Sequence, residues 1–145
     1  MKEALVMKRI QFYPGNALEA KLDAEAQRLG VSVSTLVVDL LNDYYGLVPK
    51  NTLSLTQVTT KVLDEVKDYI SNLKPNDEFD LLKASNTFKN IEMVSSGKPS
   101  TNRANIGKSF SKRIGKTPFV NVDVVYRPDG KVKKSRNNAT IYKVV

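Results

Sequence analysis

The sequence predicts an α+β fold in two parts, and three observations predict it. Residues 9–13 alternate between polar and apolar side chains, and two helical stripes follow directly. A longer helical stripe runs from Leu55 to Leu73. The last third closes with two β-rich runs separated by turn residues around Pro128-Asp129-Gly130. These features divide the chain into an amino-terminal unit at 7–46, a linker at 47–53 and a second unit at 54–145.

The elements follow in order. Met1 to Val6 reads as a short arm. In Arg9-Ile10-Gln11-Phe12-Tyr13, a strand would turn Ile10 and Phe12 inward and Arg9, Gln11 and Tyr13 outward. One short strand cannot satisfy its own hydrogen bonds, and the first fifty residues offer no second one. The simplest partner is the same strand of another copy, giving an antiparallel ribbon about a two-fold axis. Asn16 and Glu19 have the spacing of a capping box. Leu18, Leu22, Ala26 and Leu29 then form one helical stripe, which Gly30 ends. Ser32 caps the next helix. Its buried face is expected to be Leu36, Val37, Leu40, Leu41 and Tyr44, with Gly46 as its stop.

Pro49 and the lack of periodicity make Leu47 to Thr52 a linker. Ser54-Leu55-Thr56-Gln57 is a second capping-box pattern, opening a helix to about Leu73. Lys74-Pro75-Asn76-Asp77 breaks that helix. Phe79 and Leu81 suggest a short strand. Leu82 to Met93 suggests a weaker helix, interrupted at Ser85-Asn86-Thr87. Val94 to Ser100 reads as a loop. Ser100 or Thr101 caps another helix, which runs to about Ile114 with Ile106, Phe110 and Ile114 inside. Strands at Phe119–Tyr126 and Asn138–Val144 make a final hairpin, with a long basic connection through Lys131, Lys133, Lys134 and Arg136.

Charge is unevenly placed. Residues 1–50 carry six Lys/Arg and six Asp/Glu, and residues 51–100 carry six and seven. Residues 101–145 carry eleven and two, so this segment holds all of the net +8 of the chain. A concentrated cationic surface is the footprint of a phosphate-binding face. The absence of cysteine and histidine excludes disulfides, zinc fingers and Cys or His nucleophiles. No apolar run has the length of a membrane span and no secretory leader is evident, so a cytoplasmic location without membrane contact is expected.

Three motifs touch on chemistry and none supports it. Asp123, Asp129 and Lys131 have a nuclease-like spacing, but Pro128-Asp129-Gly130 puts Asp129 at a hairpin tip. Gly107-Lys108-Ser109 lacks the upstream glycine and the leading strand of a phosphate-binding loop. Asp77, Glu78 and Asp80 lack calcium-loop spacing. No enzyme activity, cofactor or metal is expected.

The strand, helix, Gly30-Val31-Ser32 turn and helix together resemble the ribbon-helix-helix DNA-binding proteins of the MetJ/Arc type. That resemblance implies a homodimer whose ribbon enters the major groove of double-stranded DNA, at an inverted repeat. Carried over by position, it implies that Arg9, Gln11 and Tyr13 read base edges while the Ser32 region holds a phosphate. Pro14-Gly15 departs from the polar residues that more often follow the strand in that family. The later order of helix, short strand, helix, helix and hairpin resembles a winged helix. The stretch Arg103-Ala104-Asn105-Ile106-Gly107-Lys108-Ser109-Phe110 is also similar to a small uncharacterised domain family of Gram-positive bacteria and their mobile elements.

Winged helices meet DNA through the third helix and the wing. On this reading Lys108, Lys112, Arg113, Lys133, Lys134 and Arg136 contact phosphates, and Asn105 and Ser109 are candidates for base contact. The expectation is a transcriptional repressor. The alternatives are an antitoxin or a plasmid partition or relaxosome accessory protein, whose carboxy-terminal domain binds a protein partner. A further alternative is an adaptor whose basic domain binds an acidic protein.

Overall fold

A computed structural model describes residues 8–48, 52–91 and 101–145, together with the backbone of 94–95 and 98–99. The expected arm at 1–6, residue 7, the centre of the linker at 49–51, the helix end at 92–93 and a cap at Ser100 lie outside the described residues. The architecture is mixed α+β. Helices α1 (Asn16–Leu29), α2 (Val33–Tyr44) and α3 (Leu55–Ser71) come first. Strand β1 (Glu78–Phe79) and two single-turn helices, α4 (Leu81–Ala84) and α5 (Asn86–Lys89), follow. The chain then forms β2 (Val94–Ser95), β3 (Lys98–Pro99), α6 (Thr101–Ser111), β4 (Val122–Val124) and β5 (Tyr142–Val144).

Local chemistry sets most of these boundaries. The Ser54 side chain accepts from the Gln57 amide while the Gln57 side chain accepts from the Ser54 amide, so the expected capping box opens α3. The Ser32 hydroxyl accepts from the Thr35 amide at 3.1 Å and starts α2. Ser85 ends α4 and its hydroxyl accepts from the Phe88 amide at 3.0 Å, so it both divides the weaker helix and restarts it. At α1 the expectation fails by one residue. Gly15 is the N-cap without a side-chain cap bond, and Asn16 is already helical, so no capping box forms there. The expected loop at 94–100 contains a short antiparallel pair, β2 with β3.

One main core holds the second unit together. Along α3, Val62, Val66 and Ile70 face it and are buried. Strands run in the order β1-β5-β4, all antiparallel, with Phe79 opposite Tyr142 and Val122 opposite Val144. Thus the short strand at Phe79 pairs with the last strand of the chain. Phe110 of α6 sits at the centre, with its ring centroid 4.8 Å from that of Tyr142 and 5.0 Å from that of Phe119. Edge-to-face packing of this kind adds about 0.5–1.5 kcal/mol per pair beyond area burial. It fixes α6 against the sheet.

A smaller core of Ala26, Val31 and Leu36 joins α1 to α2 and docks on α3. Asp39 of α2 accepts from the Thr56 amide at 2.8 Å and from its hydroxyl, so one helix caps the next. The Thr60 hydroxyl donates to the Leu29 carbonyl at 2.5 Å. The linker therefore does not leave the first two helices free of the second unit.

The expected buried faces of the amino-terminal unit differ most from expectation. Ile10, at 87 % exposure, and Phe12 face solvent, and residues 8–15 pair with no strand among the described residues. On α2 Leu36 is buried, but Leu40, Leu41 and Tyr44 are exposed. Leu18 of α1 is exposed as well. The reason is physical: two helices and a short segment bury one seam between them, and the remaining apolar face has no partner among the described residues.

Candidate nucleic-acid interface

Helix α6 is the centre of the basic surface. Ile106 and Phe110 are fully buried and fix its rotation. Asn105, Lys108, Ser109 and Lys112 fall on the adjoining outward face, at helical spacing. Gly107-Lys108-Ser109 lies inside the helix, which removes any likeness to a phosphate-binding loop.

A cleft of about 600 Å³ opens along one flank of α6. Its far wall is the start of α2, with Ser32 and Thr35, and Leu55 and Thr59 of α3 line it too. Its near wall is Asn105, Lys108, Ser109, Lys112, Arg113 and Lys116. Six of the residues singled out by sequence, Ser32, Asn105, Lys108, Ser109, Lys112 and Arg113, thus share one cleft. Among the described residues no carboxylate lines it. Arg113 is its most enclosed cation: Nη1 donates to the Ser109 carbonyl at 2.7 Å, and burial pulls the guanidinium below its ordinary value. An arginine remains charged even so.

A second cleft, of about 490 Å³, lies on the other flank of α6. Lys108 borders both clefts. The second is lined by Arg103 and Ala104 of α6, by Leu82 and Phe88, and by Lys134, Asn137 and Asn138 from the hairpin. Among the described residues it too contains no carboxylate. Arg103 is held in place: Nη2 donates to the Lys89 carbonyl at 3.0 Å, and its guanidinium lies 5.3 Å from the Phe88 ring centroid. Tyr142 Oη meets Ser111 Oγ at 3.1 Å and ties α6 to β5. Burial pushes that phenol up, against the opposing pull of its contacts with Ser111 and Thr140.

The basic connection between the hairpin strands is not one long loop. It forms two successive turns. Tyr126 bridges Val132 around Pro128-Asp129-Gly130, and Lys134 bridges Thr140 around Arg136 and Asn137. The Val125 amide donates to Ile141, the Lys133 amide to Val125 and the Ile141 amide to Lys133, which stitches the two turns together. The three wing cations accordingly differ. Lys133 Nζ is 2.8 Å from Glu78 Oε1 on β1 and is already paired. Lys134 faces the second cleft and its Nζ donates to Thr140 Oγ1 at 3.2 Å. Arg136 is exposed at the tip of the second turn. Asp129 pairs with Arg127 at 2.9 Å, and Asp123 is an exposed strand residue that accepts from the Val124 amide, so the nuclease-like spacing holds two separately engaged carboxylates.

Arg9, Gln11 and Tyr13 are exposed and lie outside both clefts. Gln27, Thr35, Thr59 and Lys116 also line the cleft and are not among the site residues predicted from sequence. Lys116 lies beyond α6, which ends at Ser111, so helical spacing does not place it there. Among the described residues no helix is long and apolar enough to cross a membrane. Comparison of the chain with family models, with curated proteins and with solved structures finds no match.

Proposed function

We propose that this protein is a homodimeric, sequence-specific double-stranded DNA-binding protein that acts as a transcriptional repressor in the cytoplasm. The observation that carries the reading is that α6 lies between two clefts rich in cations, neither lined by a carboxylate among the described residues. Such a surface attracts the phosphate backbone and repels little of it. The element order α3, β1, α4–α5, the short β2–β3 pair, α6 and hairpin, with β1 paired to β5, supports a winged-helix reading in which α6 and the double turn face DNA.

The amino-terminal unit would supply the dimer and the base reading. Ile10, Phe12, Leu40, Leu41 and Tyr44 leave an apolar face open on one chain. A second copy would cover it as the two 9–13 segments pair into a ribbon. Arg9, Gln11 and Tyr13 then project from the other side of that ribbon into the major groove. Glutamine can pair bidentately with adenine and arginine with guanine, each worth roughly 1–3 kcal/mol of discrimination. The test is Gln11→Ala, compared with the parent by binding to a set of single-base operator variants. The expected result is relaxed preference at one position of each half-site with the dimer intact. Unchanged preference would remove the ribbon as the reader.

A further inference from the structure

A ribbon that reads bases and a basic helix that adds affinity can act as separate units. Here the start of α2 and the outward face of α6 form opposite walls of the same cleft. We infer that this cleft is one composite seat for the phosphates of a single DNA strand, so that both units grip the same duplex at the same place. The inference rests on the DNA-binding reading above and adds a location, a ligand chemistry and a coupling between the units.

Two independent observations support it. The first is charge. Lys108, Lys112, Arg113 and Lys116 converge on a cleft, and among the described residues no carboxylate lines it and none of the four forms an ion pair. Like charges brought together in this way repel, and a bound anion relieves them. The second is the opposite wall. Thr35 gives its amide to the Ser32 hydroxyl, which leaves the amides of Val33 and Ser34 without an intrahelical partner at the positive end of α2. The positive end of α2, with Ser32 and Thr35 lining the cleft, on one side and cationic side chains on the other suit a run of phosphodiesters.

The arrangement is also held in place. Asp39 caps α3 from α2, and the Thr60 hydroxyl ties α3 to the end of α1. The core around Phe110 fixes α6 on the same α3 scaffold. The width of the cleft is therefore set by packing, not by the linker at 47–53.

The experiment uses the full chain and a labelled mixed-sequence duplex of about three helical turns, followed by anisotropy across a salt series. The combined change Lys112→Ala and Lys116→Ala should reduce the salt slope by about two. Thr35→Glu sets a carboxylate on the other wall and should weaken binding at least tenfold. It also completes a capping box with Ser32, so it should not unfold α2. Because both changes act on one seat, the three together should weaken binding by clearly less than the product of the separate fold-changes. Separate fold-changes that multiply would overturn the composite seat while leaving DNA binding in place. A parent protein that does not bind the duplex at any salt would overturn the DNA-binding reading itself.

Discussion

Replacing Gly30 tests the docking on which the composite surface depends. Gly30 adopts φ of 82° where α1 ends, a left-handed conformation that costs an ordinary residue about 1–2 kcal/mol. Its position is also crowded: an added Cβ would lie 2.2 Å from Leu63 Cδ1 on α3. Leu63 must then shift within a packed seam, an overpacking cost of about 1–3 kcal/mol. Gly30→Ala should therefore destabilise the chain by about 2–5 kcal/mol, read as a lower urea midpoint at unchanged slope. The two parts separate in a Leu63→Ala background, where the clash disappears. There the same change should cost only the conformational share, about 1–2 kcal/mol. An equal cost in both backgrounds, or a cost well under about 1 kcal/mol in the parent, would refute the close approach of the α1–α2 turn to α3.

Three further expectations follow from individual contacts. Asp39→Ala removes a charged acceptor from the half-exposed amino end of α3 and should cost about 1–2 kcal/mol by urea unfolding; a neutral effect would mean that α2 does not cap α3. Burial alone would raise the Glu65 carboxyl, but hydrogen bonds from the Thr87 hydroxyl and amide and from Ser85, with the nearby Lys61 charge, bring it below its ordinary value of 4.5. A carboxyl lowered by folding stabilises the chain above that ordinary value and loses the contribution as pH falls through the lower native one. The advantage of the parent over Glu65→Gln in thermal midpoint should therefore shrink on acidification, and an advantage independent of pH would contradict this. Changing Lys133, Lys134 and Arg136 together to alanine should flatten the salt slope of DNA binding by about two rather than three, because Lys133 is already paired with Glu78. A full loss of three would show that the pair with Glu78 opens on binding.

The second unit was the more legible part of the sequence. Its long apolar stripe, the capping box at Ser54, the break at Ser85 and the Pro-Asp-Gly turn are all local signals, and local signals survive folding. The start of α1 was misplaced by one residue because the capping box read from Asn16 and Glu19 does not form: the helix begins at Asn16 itself, with Gly15 as its cap. The second wing turn was hidden by its charge. Lys133, Lys134 and Arg136 read as a solvated connection, while the turn is made by Ser135 with Asn138 at positive φ. The apolar stripe of α2 was visible, but periodicity cannot say whether a face is covered within one chain or by another. Six of the candidate site residues stand out in the sequence as a basic and polar set, yet their meeting was not legible. Ser32 and Lys112 are eighty positions apart, and only the shared packing of α2 and α6 on α3 brings them to one cleft.

The most direct measurement is selection of random duplex DNA by the full-length protein at near-physiological salt. A dimeric ribbon that reads the major groove should enrich an inverted repeat of short half-sites, with protected phosphates extending beyond each half-site where α6 lies. Retention of DNA without enrichment of any sequence, lost steeply as salt rises, would contradict a sequence-reading dimer and leave only the basic clefts as binders.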